Sequence, residues 1–209
     1  MRWDDAATST LDPDLSGQDP PDMAGAPTLA LGRGAGGTVV QGRDRHLPRM
    51  VAWKVARGEH ARARLQHEAR VLAALEHPSI VAIHDLVDDP DGSLRIALRL
   101  VRGETLHTRI RQAADLPARL RLVRPFMQMV EAVAWAHRLG WLHRDLKPAN
   151  LMIGEFGETQ VIDWGLAINL DESVPAGEVV GTVPTMAPEQ ARGEVDGQRL
   201  RVRIAVLRA

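Results

Sequence analysis

The chain has 209 residues, which is enough for one domain or for two small lobes around a buried core. Its composition is ordinary for a globular protein, and its net charge of −1 argues against nucleic acid or an anionic membrane as a partner. The absence of cysteine excludes disulfides and thiol chemistry, and no apolar run approaches the ~18 residues of a membrane helix. We therefore expect a cytoplasmic protein without a membrane segment in this chain.

Residues 1–26 are acidic and contain few apolar side chains. The segment carries six aspartates, which are Asp4, Asp5, Asp12, Asp14, Asp19 and Asp22. Such a composition is typical of a disordered leader, because it offers too little apolar surface to form a core. We expect a solvated leader to precede the folded part of the chain.

From Thr28 onward the pattern becomes typical of β-strands. Two short apolar runs, residues 29–31 and 38–40, flank a glycine-rich stretch at residues 32–37. This arrangement predicts a strand, a glycine turn and a second strand. The apolar run at residues 50–55 predicts a third strand.

A helix is predicted over residues 60–76, where apolar side chains recur at helical spacing. His77 and the following proline end it. Two more strands are predicted at residues 80–83 and 94–101, with a turn of Asp-Pro-Asp-Gly at residues 89–92 before the second of them.

After Gly103 the apolar spacing becomes helical. One long apolar stripe predicts a helix that carries Leu120, Val123, Met127, Val130, Val133, Ala134 and His137. Pro125 must lie near the start of this helix, and Gly140 is placed to end it. A loop at residues 142–150 and two short strands at residues 151–153 and 161–162 follow. Strands first and helices later predict an α+β protein with two lobes.

The glycines follow the spacing Gly32-x-Gly34-x-x-Gly37. Glycine permits positive φ and lets backbone N–H groups approach phosphate oxygens. A dinucleotide-binding fold would place a helix after the last glycine, whereas here Val39 belongs to a predicted strand. The pattern therefore favours a strand-turn-strand lid over phosphates, with a simple glycine-rich hairpin as the alternative.

Lysine is rare in this chain. Of 26 basic residues only Lys54 and Lys147 are lysines. Lys54 lies in a predicted apolar strand, where an unpaired ammonium is costly, and Glu68 on the following helix can pair with it. The alternative is a surface lysine whose head group reaches solvent. A compact ammonium differs from a guanidinium, so the two positions where lysine persists are candidates for chemistry.

A third cluster runs from His143 to Asn150. Within it Asp145 can accept a hydroxyl proton, and Lys147 can neutralise a transferring phosphoryl group. Asn150 and the later Asp163 offer oxygen ligands of the kind that Mg²⁺ prefers.

Taken in order, these motifs resemble the eukaryotic-type protein kinases, in a form similar to the bacterial serine/threonine members. The resemblance covers residues 28–192 and includes Ala187-Pro188-Glu189 at the end of the activation segment. It implies an α+β, two-lobed protein-kinase-like fold. The implied N-lobe, an antiparallel sheet with one helix, occupies residues 27–101. An incomplete, mostly helical C-lobe with the catalytic loop and activation segment occupies residues 102–192.

The resemblance also implies functional roles, with ATP and Mg²⁺ as cofactors and a protein serine or threonine as substrate. The implied catalytic residues are Asp145, Lys147, Lys54 and Glu68. The implied ATP-binding residues are Gly32, Gly34, Gly37, Val39, Ala52, Lys54, Leu98, Leu100, Asn150 and Asp163, of which Asn150 and Asp163 also bind magnesium. The implied regulatory residues are Thr182, Ser173 and Arg144.

The sequence departs from the family pattern at three places. Trp164 stands where the family usually has phenylalanine, and Arg99 stands where an acidic residue is common. Residues 193–209 form an arginine-rich tail without family resemblance, from which we expect the product of a truncated kinase gene. The alternative function is therefore an inactive kinase fragment that serves as a nucleotide-binding or protein-interaction module. The sequence leaves the oligomeric state open.

Overall fold

The computed structural model describes residues 29–34, 37–170 and 179–193. The predicted leader, Ser173 and residues 194–209 of the predicted tail lie outside the described residues.

Five antiparallel strands form the first sheet, in the order β1-β2-β3-β5-β4. The strands are β1 (Leu29–Gly34), β2 (Gly37–Arg43), β3 (Met50–Ala56), β4 (Ile83–Asp88) and β5 (Leu94–Arg99). Strand β3 is central, and nearly all of its side chains are buried, in keeping with its apolar sequence. The predicted strands at residues 29–31, 38–40 and 50–55 lie within β1, β2 and β3.

One helix, α1 (Glu59–Ala74), follows β3 and contacts the sheet. It buries Leu65, Ala69 and Leu72, which recur at helical spacing on a single face. Glu68 is buried on the same helix, so a charged side chain points into the protein interior.

The predicted strand at residues 80–83 is wrong in position, because the strand begins where that prediction ends. Ile80 and Val81 are buried by pairing with another part of the chain: Ile80 forms an isolated parallel bridge with Val161, and the Val81 amide donates to the Val161 carbonyl at 3.1 Å. The apolar run therefore marks burial rather than a sheet strand. Strand β4 itself runs along the sheet edge with alternating exposure, which its polar residues permit.

The second part of the chain contains one long helix, three short helices and two small sheets among its described residues. Its elements are β6 (Gly103–Thr105), α2 (Leu106–Gln112), α3 (Leu116–Leu120), α4 (Val123–Arg138), β7 (Trp141–Leu142), β8 (Leu151–Gly154), β9 (Thr159–Val161), β10 (Ile168–Asn169) and α5 (Pro188–Ala191). The small sheets have the orders β6-β8-β9 and β10-β7. Pro125 lies in the first turn of α4 and Gly140 adopts positive φ after its end, as predicted.

A single apolar cluster connects the two parts of the molecule. It joins Leu72 of α1 and Leu98 of β5 to Ala132 of α4, Leu151 of β8 and Trp164. The α+β architecture predicted from the sequence is thereby confirmed. In the part of the chain that the structure describes, no helix is both long enough and apolar enough to span a membrane.

Candidate active site

Gly32 and Gly34 lie on β1, the edge strand of the first sheet, and Gly37 begins β2. Gly37 has φ +119°, and a Cβ at this position would lie 2.2 Å from the Val55 carbonyl oxygen of β3. Only glycine fits here, since both the backbone conformation and the close approach exclude a side chain. Gly32 has open space around it. On β2, Val39 is the register partner of Lys54 on β3, so the second strand of the hairpin lies directly beside the lysine.

Lys54 lies between two carboxylates that come from different parts of the fold. Its Nζ is 2.7 Å from Glu68 Oε2 on α1 and 2.9 Å from Asp163 Oδ1, which follows β9. Lys54 and Glu68 are 6% and 2% exposed, whereas the Asp163 side chain is 45% exposed. The predicted Lys54–Glu68 pair is present, and it extends to Asp163.

The electrostatic environment favours the charged forms of Lys54 and Asp163. Burial alone would lower the pKa of Lys54, but the carboxylates of Glu68 and Asp163 outweigh it and raise that pKa. Burial opposes ionisation of Asp163, yet the Lys54 ammonium lowers its pKa. Burial raises the pKa of Glu68, which Lys54 only partly offsets. Lys54 therefore stays an ammonium between the buried Glu68 and the half-exposed Asp163.

The loop after β7 is fixed by the buried His143. The Asp145 amide donates to His143 Nδ1 at 3.2 Å, so the ring proton is on Nε2, which donates to the Ile162 carbonyl at 3.2 Å. Burial lowers the pKa of His143 and keeps the imidazole neutral. Arg144 has φ +63°, an uncommon conformation for a residue other than glycine. These constraints fix the backbone that leads into Asp145.

Three side chains converge on the carboxylate of Asp145. Lys147 Nζ donates to Oδ2 at 2.8 Å, and the Thr182 hydroxyl donates to Oδ1 at 2.6 Å. Lys147 also donates to the Thr182 hydroxyl at 2.8 Å. The Asn150 side-chain amide donates to Asp145 Oδ2 at 3.3 Å and to the Asp145 backbone carbonyl at 2.9 Å. The structure thus brings together Asp145, Lys147 and Asn150 from the predicted loop with Thr182 from the later segment.

Trp164 is completely buried next to Asp163. The centroid of its ring lies 4.6 Å from the centroid of the His143 ring. Its Nε1 donates to the Val161 carbonyl at 3.4 Å. Asp163 itself has φ +62°. The tryptophan therefore connects the loop of Asp145 to the segment that carries Asp163, and it belongs to the same apolar cluster as Leu72 of α1.

Three of the predicted ATP-binding residues, Ala52, Leu98 and Leu100, lie on or just after the neighbouring strands β3 and β5. Ala52 on β3 and Leu98 on β5 are register partners, and both are buried. Leu100 is half-buried just after β5, and Arg99 is exposed. The arginine thus points to solvent and adds no charge to the buried surface formed by Ala52 and Leu98.

Asn150 and Asp163 provide a donor set suited to magnesium. The Asn150 nitrogen is engaged with Asp145, which leaves its amide oxygen as the group for an ion. One oxygen of Asp163 contacts Lys54, and the half-exposed carboxylate has a second oxygen. Carboxylate and amide oxygens are hard ligands of the kind that Mg²⁺ takes, so the two predicted ligands fit that ion.

Two further residues at this site were not predicted from the sequence. One is His143, because a histidine in a sequence can be either a buried structural residue or a ligand-binding residue. The other is Gln190 on α5, whose amide nitrogen contacts the carbonyls of Arg144 and Val180. The only sequence signal for Gln190 is its place directly after Ala-Pro-Glu. Of the predicted regulatory residues, Arg144 donates to the Leu166 carbonyl at 2.7 Å and Thr182 contacts Asp145.

Comparisons with known proteins agree with this geometry. The family described as the protein kinase domain matches residues 28–200. A probable serine/threonine-protein kinase of Streptomyces coelicolor is 35% identical over 78% of this chain and 26% of its own length. Serine/threonine-protein kinase PknD of Protochlamydia amoebophila is 34% identical over 79% of this chain and 20% of its own. The probable serine/threonine-protein kinase PknB of Bifidobacterium longum is 36% identical over 81% of this chain and 27% of its own length.

The chain therefore spans about a quarter of the length of these relatives. The family match covers most of the 209 residues and includes every motif described above. Because the fold, the order of the motifs and the sequence match agree, the chain belongs to the protein kinase family, in its bacterial serine/threonine branch.

Proposed function

We propose that the chain transfers the γ-phosphoryl group of ATP to a serine or threonine hydroxyl of a protein. The observation that carries this proposal is the contact of an alcohol with Asp145. The Thr182 hydroxyl donates to the Asp145 carboxylate at 2.6 Å and accepts from Lys147 at 2.8 Å. An alcohol is thereby held between a carboxylate that can take its proton and an ammonium that can stabilise negative charge.

In the proposed reaction, Asp145 orients the substrate hydroxyl and accepts its proton. The hydroxyl oxygen forms a bond to the γ-phosphorus as the bond between that phosphorus and the bridging oxygen breaks, which releases ADP. Lys147, and Lys54 beside Asp163, would neutralise phosphate charge. Asn150 and Asp163 would hold Mg²⁺, which neutralises the nucleotide phosphates when bound.

Other residues prepare the nucleotide site. Gly32, Gly34 and Gly37 would bring the backbone of the first hairpin over the phosphates. Ala52 and Leu98, which belong to one apolar cluster with Val39 and Leu100, would form an apolar surface for the adenine. The roles assigned above to the catalytic, nucleotide-binding and regulatory residues stay predictions. The cytoplasmic location and the lack of a nucleic acid partner stay predictions as well.

The test is γ-phosphate transfer from radiolabelled ATP to histone, with Mg²⁺, by the 209-residue chain and by Asp145→Asn. We expect transfer by the wild type and a loss of about 10³-fold or more in the variant, because asparagine cannot accept the proton. Glu131→Gln, an equivalent exchange at an exposed position of α4, serves as the control and should be active. Stabilisation by ATP without any transfer would contradict the proposal and support the nucleotide-binding module.

A further inference from the structure

Gln190 lies where the loop of Asp145 meets the segment of Thr182. Its side chain is 5% exposed, although α5 is a helix of only one turn. The amide nitrogen lies 2.5 Å from the Arg144 carbonyl oxygen and 2.6 Å from the Val180 carbonyl oxygen. Both neighbours are acceptors, so the nitrogen must face them and both of its protons are used.

The two carbonyls belong to residues that lie close to the reacting groups in sequence. Arg144 immediately precedes Asp145, and Val180 precedes Thr182 by two residues. Gly181 lies between Val180 and Thr182 in the sequence and has φ +120°. A Cβ at position 181 would lie 2.6 Å from the Arg144 oxygen and 2.7 Å from the Gln190 nitrogen, so glycine alone permits this close junction.

We propose that Gln190 is a positioning residue that joins the Arg144 and Val180 carbonyls and thereby holds Thr182 against Asp145 and Lys147. This inference rests on the proposed kinase function and adds a residue to it. Gln190 touches neither substrate nor nucleotide; it acts through the backbone of the two segments. The close contact of the Thr182 hydroxyl with Asp145 requires these segments to keep their relative position.

The first test compares Gln190→Met and Gln190→Glu with the wild type in transfer from ATP to histone. Methionine has a similar length but no donor, so both carbonyls lose their partner. We expect kcat/KM for histone to fall by about tenfold or more, with the Kd for ATP unchanged, because the nucleotide contacts lie elsewhere. An unchanged kcat/KM in Gln190→Met would overturn the proposal.

The glutamate variant gives a signature that a merely structural role would not produce. As a carboxylate it faces two carbonyl oxygens and donates to neither, whereas the protonated acid donates once. Burial and the carbonyl dipoles favour the protonated acid. Its activity relative to the wild type should therefore rise as the pH is lowered from about 9 to about 6. Gln66→Glu, the same exchange on the exposed side of α1, should follow the wild type throughout. A ratio that does not change with pH would contradict the inference.

A measurement on the wild type keeps the proposal testable if either variant fails to fold. The side-chain amide protons of Gln190 should exchange slowly in NMR, because both are hydrogen-bonded and buried. The exposed side chain of Gln66 provides the fast reference within the same spectrum. Exchange of Gln190 as fast as Gln66 would overturn the inference. Since this measurement needs no activity, it separates a failure of the inference from a failure of the proposed function.

Discussion

At the scale of single residues, Lys54 and Glu68 form a buried ion pair. Its effect on the free energy of unfolding can be separated from its effect on ATP binding. Replacing Lys54 by methionine leaves Glu68 buried without its partner, so we expect Lys54→Met to lower the free energy of unfolding by roughly 3 kcal/mol. The double variant Lys54→Met/Glu68→Met should recover most of that loss, because apolar side chains replace both charges. Urea denaturation measures the stabilities.

The affinity for ATP should not recover with the free energy of unfolding when Glu68→Met is added to Lys54→Met. Both variants lack the ammonium, so we expect ATP to bind more weakly to each than to the wild type by calorimetry. A double variant that is no more stable than Lys54→Met would contradict the energetic coupling of the two side chains. Recovery of ATP binding together with stability would remove Lys54 from the nucleotide site.

Thr182 offers a second residue-scale test, because its hydroxyl contacts both Asp145 and Lys147. We expect Thr182→Val to lower kcat by about tenfold through loss of these hydrogen bonds, and Thr182→Ser to retain most activity. Thr182→Asp should be inactive, since it places a second carboxylate beside Asp145. A more active Thr182→Asp would instead support the predicted regulatory role of Thr182. Phosphotransfer rates decide between these outcomes.

At the scale of elements, Gly32 and Gly37 of the hairpin of β1 and β2 have different surroundings. The Cβ of Gly37→Ala would meet the Val55 carbonyl at 2.2 Å, and the residue has φ +119°. We expect this variant to lose about 2 kcal/mol or more of stability, because the strand β2 must shift away from β3. Gly32→Ala has nothing within 4 Å and should change stability by no more than about 0.5 kcal/mol. Equal melting temperatures for the two variants would contradict the described strand pairing.

Element positions were predictable from the sequence where one periodicity was strong. The helix predicted at residues 60–76 corresponds to α1, and the turn at residues 89–92 is present. The strand at residues 80–83 was misplaced because a run of apolar residues indicates burial but not the partner that buries it. The short helices α2 and α3 were missed, since each has too few residues for a period to emerge.

The candidate site was predictable to a different degree. Residue types and spacing indicated Lys54, Glu68 and Asp145, because a charge in an apolar strand or a cluster of polar groups is unusual in itself. The contacts of Gln190 were not predictable, since they depend on two backbone carbonyls that come together only in the folded chain. Side-chain to backbone hydrogen bonds over long sequence separations leave no mark in a sequence pattern.

At the scale of the whole molecule, one apolar face has no cover among the described residues. It runs along α3 and the start of α4 and consists of Leu116, Leu120, Val123 and Met127, which are 67%, 58%, 51% and 49% exposed. Leu116 and Leu120 are one turn apart on α3, and Val123 and Met127 are one turn apart on α4, so each helix contributes an apolar pair to this stripe. Apolar patches of this kind promote association between molecules.

Met127 and Met129 lie on opposite sides of α4 and allow a matched test of that face. Met127 is 49% exposed and Met129 is 5% exposed. We expect Met127→Gln to reduce self-association in sedimentation velocity with little change in melting temperature, because it makes an exposed stripe more polar. Met129→Gln should cost about 2–4 kcal/mol, since it buries an amide in the core. If Met127→Gln were as destabilising as Met129→Gln, the Met127 side chain would have to be buried in the folded molecule in solution. An exposed stripe could then not be the cause of self-association.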